Sequence, residues 1–424
     1  MAPQNEERAA RLRAQANDPS FENVWQELRW RGLVHVSTDE AALEQALAGE
    51  PVSYYCGFDP TAPSLHLGHL VQLLTLRRLQ LAGHRPYALV GGATGLIGDP
   101  RQTSERVLNS QETVAAWVES LRAQIEPYLS FEGENAATMV NNLDWTAGMS
   151  ALDFLRDVGK NFRVGTMVKK EIVAKRLNSD EGISYTEFSY QVLQGNDFLE
   201  LHRRHGVTLQ TGGSDQWGNL TAGTELIRKV EGTHAHALGT PLITNADGTK
   251  FGKSEGNAVW LDAEMCSPYA FYQFWLNTAD ADVVDRLKVF TFLTRAEIEE
   301  YAQKVADEPF RREAQRRLAW EVTALAHGEE TTTKVIEASQ AVFGGGDLTT
   351  VDPDTLTAVL AELPQADRTQ WEGEPGTVTA VELLVSTGLV ASRSEARRTV
   401  RDGGASVNNV RVTDADQVFT RDDA

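Results

Sequence analysis

Cysteine is nearly missing from this chain: 424 residues carry only Cys56 and Cys266. Two such distant thiols exclude a disulfide framework and supply no C-x-x-C spacing for a zinc site. Long apolar runs are missing too. Nothing approaches eighteen consecutive apolar residues, so no membrane span is expected. The segment from Met1 to Ser20 has no apolar signal core, and Glu6, Glu7 and Asp18 speak against an organelle transit peptide. A reducing cytoplasm is the expected compartment. Positive charge is scarce as well. Sixty acidic residues against 40 Lys and Arg leave a net charge of −20. Any nucleic-acid partner must therefore be met by local basic patches on a repelling body, with binding that weakens as salt rises.

What is present is ordinary globular material, 41% apolar, in a length that predicts two or three domains. Apolar spacing predicts helices over 21–33 and 38–48, a buried strand over 53–58 stopped by Asp59-Pro60-Thr61-Ala62-Pro63, and a helix over 68–81. In that helix Leu70, Leu73, Leu74, Arg77 and Arg78 alternate between core and solvent. A second strand over 86–90 runs into the glycine-rich turn 91–100. A helix over 111–129 and a strand over 137–141 follow. Strands alternating with helices predict an α/β fold, a Rossmann-like parallel sheet whose ligands lie at the carboxyl ends of its strands. The boundaries expected are an α/β domain over 1–261, a helical domain over 262–343, an acidic Gly/Pro linker over 344–376 and a small α+β module over 377–424. The linker opens on Gly344-Gly345-Gly346, holds seven acidic residues against one arginine, and has room for a short helix at 356–363.

Four strings carry the chemistry. His66-Leu67-Gly68-His69 falls just after a strand, at the start of a helix. There it offers backbone N–H groups, two imidazoles and a helix dipole to an anion, while Gly68 leaves room for adenine or ribose. Two surface histidines or a His-x-x-His metal pair are the alternatives. Lys250-Phe251-Gly252-Lys253-Ser254 follows Asp247-Gly248-Thr249, so its lysines sit on a turn-rich loop able to meet a departing pyrophosphate; a plain exposed basic loop is the alternative. Together the two strings imply ATP binding with attack at the α-phosphate, and they imply that the chain folds back to bring them together. Tyr190, Gln194 and Asp197, spaced i, i+4, i+7, share one helix face. That strip is either solvated or a site. Gln210-Thr211-Gly212-Gly213-Ser214-Asp215-Gln216-Trp217-Gly218-Asn219 passes from a strand over 207–210 into a helix, the same position in the topology as the histidine string. It favours the site, with Asp215 suited to ribose hydroxyls and Gln216 to a carboxyl.

With these strings on one chain, the sequence resembles the bacterial tyrosyl-tRNA synthetases, a class I aminoacyl-tRNA synthetase family. Matching segments run from about Phe21 to the C-terminus and include 55–62, 91–100, 186–198, 212–219 and 250–254. The resemblance implies that Thr61, His66 and His69 hold ATP phosphates, and that Lys250, Lys253 and Ser254 form the pyrophosphate loop. Cys56, Gly57, Gly68, Asp59, Gly213 and Asp215 would contact adenosine or its ribose. Asp99, Tyr190 and Gln194 would hold the substrate ammonium, Tyr55 and Asp197 its phenolic hydroxyl, and Gln216 its carboxyl. It further implies ATP as substrate with Mg²⁺, no protein-bound metal, L-tyrosine and tRNA(Tyr) as partners, a homodimer, and an adenylate formed without a covalent enzyme intermediate. One departure stands out. Where the family carries a lysine-bearing segment after Asp99-Pro100, this chain has Arg101-Gln102-Thr103 before Ser104-Glu105-Arg106. Arg101 and Arg106 are the cations available there, and a lysine-specific role does not transfer.

The stretch 383–408 resembles a small RNA-binding module shared with a ribosomal protein and some pseudouridine synthases. Arg393, Arg397, Arg398, Arg401 and Arg411 face only Glu395 and Asp402 between 393 and 411, a local +3 in an acidic chain. Arg393, Arg397 and Arg401 form a ridge at four-residue spacing, suited to phosphates or to solvent. Three rivals remain: an HxGH nucleotidyltransferase, which has no use for this module; a tryptophan-specific relative, which should lack the Tyr55/Asp197 pair; and a catalytically inactive RNA-binding paralogue, which predicts eroded motifs.

Overall fold

The computed structural model describes residues 3–100, 104–249, 251–254, 257–344, 346–361, 363 and 377–420. Lys250, Arg101 and, within the expected linker, residues 345, 362 and 364–376 lie outside the described residues. Spatially the chain forms two compact units, Met1–Cys266 with Trp275–Val322, and Ser267–Phe274 with Thr323–Ala424. The helical stretch 262–343 is thus shared between them.

The first unit is built on a six-stranded sheet: β1 (Val36–Ser37), β2 (Ser53–Phe58), β3 (Arg85–Val90), β4 (Thr138–Asn141), β5 (Leu209–Gly213) and β6 (His236–Thr240), in the order β1-β6-β5-β2-β3-β4. Strands β2 to β6 are parallel, and β1 closes one edge antiparallel to β6. That edge strand is only two residues long, too short for any alternation to announce it. From β2 the chain adds β3 and β4 on one side, then returns to add β5 and β6 on the other. Order therefore reverses between β2 and β5, and a crevice at their carboxyl ends is the place for a ligand.

The predicted strands at 53–58 and 86–90 form nearly as read, because their turns are punctuated by Pro and Gly. The helix at 68–81 starts one residue earlier, at Leu67, and the helix at 111–129 stops at Ile125, passing into a 3₁₀ turn at Glu126–Tyr128 with Pro in its first positions. Strand 207–210 is displaced to Leu209–Gly213. Arg77 and Arg78 are not on a solvent face. Both are buried, Arg78 donating to the Thr291 carbonyl at 2.6 Å with its guanidinium 4.8 Å from the Phe292 ring, and Arg77 donating to the Leu12 carbonyl at 2.7 Å. Helical periodicity reports which face is covered only when a helix is covered on one side; here an unexpected N-terminal helix, Pro3–Ala14, and the 291–293 segment cover the other.

In the second unit the C-terminal module pairs Thr377–Thr379 with Val418–Thr420 antiparallel, packs helices Ala380–Ser386 and Arg393–Arg401 together, and adds a hairpin of Ser406–Val407 and Val410–Arg411. Its core is small: Ala380, Val400, Ala405 and Val412, with Leu384 and Phe419 against them. Asn408 and Asn409 take positive φ at the hairpin tip, a conformation asparagine tolerates better than most residues. Asn409 donates from its amide to the carbonyls of Ala341 and Gly346.

Candidate active site

A cavity of about 620 Å³ opens at the carboxyl ends of β2 and β5. At one end stand the two histidines. His66 is the N-cap of helix Leu67–Leu81: its Nδ1 accepts from Gly68 N–H at 3.0 Å, and His69 Nδ1 accepts from His66 N–H at 3.1 Å. The rings stack with centroids 4.0 Å apart. Two backbone donors expected to face an anion are therefore occupied by the rings themselves. Burial lowers the pKa of both imidazoles, His69 well below the ordinary histidine value with help from His66. A neutral ring accepting at Nδ1 carries its proton on Nε2, so each ring remains an N–H donor without a net charge. The room at Gly68 is filled by the His66 ring; a Cβ there would meet His66 Cε1 at 2.9 Å.

The other end is a buried polar chain. Asp197, on helix Tyr185–His205, accepts from the Trp145 indole at 2.8 Å and from the Asn142 amide at 3.0 Å. Asn142 also donates to Thr94 Oγ at 3.0 Å, Thr94 donates to Asp59 at 2.6 Å, and Tyr190 donates its hydroxyl to the second Asp59 oxygen at 2.5 Å. Gly91 is required here, because a Cβ would collide with Asp59 and Thr94. Burial pushes the Asp197 carboxyl up to about 7, against the pull of Asn142 and Trp145, and raises Asp59 as well. Tyr55 is 1% exposed, its ring edge-on to Phe198 at 5.2 Å, and among the described residues its hydroxyl has no hydrogen-bond partner. A buried hydroxyl left unpaired costs free energy.

Between the two ends lies Asp99. Gln216 donates to one of its oxygens at 3.2 Å and Asn219 to the other at 3.1 Å, and burial pushes it up to about 6. Lys170 donates to the Gly218 carbonyl nearby at 2.5 Å, with burial lowering its pKa to about 8. Thr61, Cys56, Gly57, Gly213, Asp215 and Gln194 also line the cavity. Cys56 is a buried thiol pushed up to about 12, so it meets a ligand as a neutral group.

Residues 47–344 match the family model described as tRNA synthetases class I (W and Y), and residues 359–424 match the model for a tyrosine–tRNA ligase SYY-like C-terminal domain. A tyrosine–tRNA ligase of Leifsonia xyli subsp. xyli is 70% identical over 406 residues, covering 96% of this chain and 90% of that protein. One from Streptomyces avermitilis is 62% identical over 402 residues, 95% of this chain and 94% of that protein. The structure of a C-terminally truncated mitochondrial tyrosyl-tRNA synthetase from Aspergillus nidulans superposes with TM-score 0.69 at 28% identity, over 80% of this chain and 98% of that one. The chain belongs to the tyrosine–tRNA ligase family of class I synthetases.

In this family member the two strings do approach each other. Gly252 lines the cavity with His66 and His69, and His66 bridges Trp260 in the backbone. Lys253–Ser254 form a short strand paired with Asn257–Ala258. Of the cations after Asp99-Pro100, Arg106 lines the cavity and donates from Nε to the Asp99 carbonyl at 2.6 Å. Its backbone is tied to Glu187, which also pairs with buried Arg176 at 2.9 Å. Asn142, Trp145, Thr94 and Asn219 were not singled out from the sequence. Asn142 follows β4 directly, so the rule that ligands gather at carboxyl ends of strands was the available signal. In the C-terminal module Arg393, Arg397, Arg398 and Arg401 are exposed on one helix, above buried Ala396 and Val400. Arg397 is held by Asp416 in a two-bond pair at 2.7 and 2.9 Å. Asp416 lies beyond the stretch over which charge was counted. Among the described residues no group of three or more His, Cys, Asp or Glu is placed to hold a metal ion, and no helix is long and apolar enough to cross a membrane.

Proposed function

We propose that this chain activates L-tyrosine with ATP and transfers it to the 3′ end of tRNA(Tyr). The observation that carries the amino-acid choice is the unpartnered Tyr55 hydroxyl beside Asp197. A phenolic hydroxyl entering there accepts from Tyr55 and donates to Asp197, satisfying both. Phenylalanine would leave the Tyr55 hydroxyl unpaired, and tyrosine-specific enzymes are themselves the known instance of that rule. Asp99, Tyr190 and Gln194 receive the ammonium, Gln216 the carboxyl, and Asp215, Cys56 and Gly57 the nucleoside. Asp59 also contacts the nucleoside in this reading, and its second oxygen holds the Tyr190 hydroxyl.

The tyrosine carboxylate oxygen attacks the α-phosphorus of ATP, the bond to the bridging oxygen breaks, and pyrophosphate leaves with its electron pair. No side chain has to become covalently attached. Thr61 and the Nε2–H groups of His66 and His69 stabilise phosphate charge where it develops, with Lys250, Lys253 and Ser254 on the pyrophosphate side. Neutral histidines suit this role, since they donate without holding the anionic product by full charge. Mg²⁺ comes with ATP, bound chiefly by the phosphates. The terminal ribose hydroxyl of tRNA then attacks the adenylate carbonyl and releases AMP, with Arg393, Arg397, Arg398 and Arg401 on the tRNA backbone. The four-part division at 261, 343 and 376 is retained as the functional one, and the cytoplasm as compartment. A homodimer is part of the reading, supported by Leu152, Leu155 and Val164, exposed at 78%, 51% and 62% in one short region.

Exchange of labelled pyrophosphate into ATP, without tRNA and with tyrosine, phenylalanine or tryptophan, tests the reading. Exchange with tyrosine alone is expected; tRNA binding without exchange would return the chain to a catalytically inactive paralogue.

A further inference from the structure

We infer that Arg286, a residue outside the cavity, is a positioning residue for the ATP half of the reaction. The inference rests on the tyrosine-activating reading above. Thr244 and Phe251 both line the cavity, seven residues apart at the two ends of one loop. A single guanidinium holds both. Arg286 donates from Nη2 to the Thr244 carbonyl at 2.6 Å, and its guanidinium carbon lies 4.5 Å from the centre of the Phe251 ring. Its helix, Asp280–Phe290, supplies a third tie: Asp282 accepts from the Ala246 backbone N–H at 3.0 Å and from Arg286 at 3.3 Å.

The remaining contacts make this a rigid mount. Phe251 also meets the rings of Trp275 at 5.6 Å and Phe290 at 5.5 Å, so its ring lies among one cation and two aromatics. Arg286 is 4% exposed, and burial lowers its pKa, so its charge is kept there by Asp282 and by the carbonyl it binds. Buried guanidinium–aromatic and charge-assisted contacts are stronger than exposed ones. Within the loop Asn245 and Thr249 bond to each other by backbone and side chain. Loop geometry is therefore set at both ends, and Phe251 leads straight into Gly252 beside the histidines. Among the described residues no hydrogen bond or ion pair runs from Arg286 to Tyr55, Asp197 or Asp99, so its effect belongs to phosphate alignment and not to amino-acid binding.

The test is pyrophosphate exchange on the full chain with separate KM values for ATP and tyrosine. In Arg286→Met, kcat is expected to fall roughly ten- to a hundredfold with a raised KM for ATP, while KM for tyrosine stays within about twofold of wild type. Arg286→Lys, which keeps the charge and reach to Thr244, is expected to recover part of kcat. Wild-type kcat and ATP KM in folded Arg286→Met would overturn the inference, as would a tyrosine KM that rises in step. Should that variant fail to fold, Phe251→Leu carries the test: a smaller loss confined to kcat and ATP KM supports the mount, and no loss refutes it. Absence of exchange in the wild type would instead defeat the tyrosine-activating reading, so the two failures are distinct.

Discussion

Three carboxylates line the cavity, Asp197 buried and Asp59 and Asp99 partly so, each bound by named side chains and each with its pKa raised by burial. The arginines of the C-terminal module stand on an exposed helix face around a core of a few small residues. In the first region a residue's role is set by geometry, because removing one partner orphans another. In the second it is set by summed charge, because each cation acts through solvent on a phosphate chain. Substitutions should therefore be severe and specific in the cavity, mild and nearly additive in the module.

The largest expected effect is Asp197→Ala. It takes the acceptor from the phenol and leaves one N–H of the Asn142 amide and the Trp145 indole unpaired, at about 1–3 kcal/mol each. Exchange with tyrosine should drop by roughly two orders of magnitude or more; normal exchange would end the pocket assignment. Next is His69→Ala, which removes a donor from the cavity and the cap on His66 N–H. A loss of about a hundredfold in kcat is expected with little change in tyrosine KM, and a loss in KM alone would contradict the phosphate role.

Acidification should give a smaller, graded effect. Asp197 and Asp99 have pKa values raised to about 7 and about 6, chiefly by burial, so each takes up a proton as pH falls through those values. The substrate hydroxyl then loses its anionic acceptor and its ammonium loses a counter-charge. KM for tyrosine should be flat near about pH 8 and rise on going down to about pH 6. A pH-independent KM over that range would show that the carboxylates do not act as charged acceptors. The smallest effect is expected in the module. Arg401→Ala should raise KM for tRNA a few-fold, leave exchange untouched and lower the salt slope by about one. Arg397→Ala should weaken charging less, because Arg397 is already paired with Asp416. Equal losses in exchange and charging would remove the division of labour.

The same contrast explains how much could be read in advance. Strands β2 and β3, the histidine helix and the Tyr190–Gln194–Asp197 face were legible because Pro and Gly punctuate them and their spacing is local. The residues that complete the site were not. Asn142 and Trp145 carry no motif, and their tie to Asp197 spans over fifty residues of sequence. Arg77 and Arg78 looked like a solvent face, since spacing within one helix is blind to a second helix laid across it. The histidines were legible at the start of their helix but not as each other's caps, a relation that depends on ring orientation. In the module, a charge count stopped at Arg411 missed Asp416, which the fold returns to Arg397.

The central claim is that Tyr55 and Asp197 together read a hydroxyl. Its most direct test is the ratio of kcat/KM for tyrosine over phenylalanine in pyrophosphate exchange, measured for wild type and for Tyr55→Phe. The ratio should fall in the variant by about tenfold, mainly because phenylalanine no longer leaves the Tyr55 hydroxyl unpaired. An unchanged ratio, with exchange otherwise intact, would mean that the orphaned hydroxyl does not meet the substrate and that selection for tyrosine lies elsewhere.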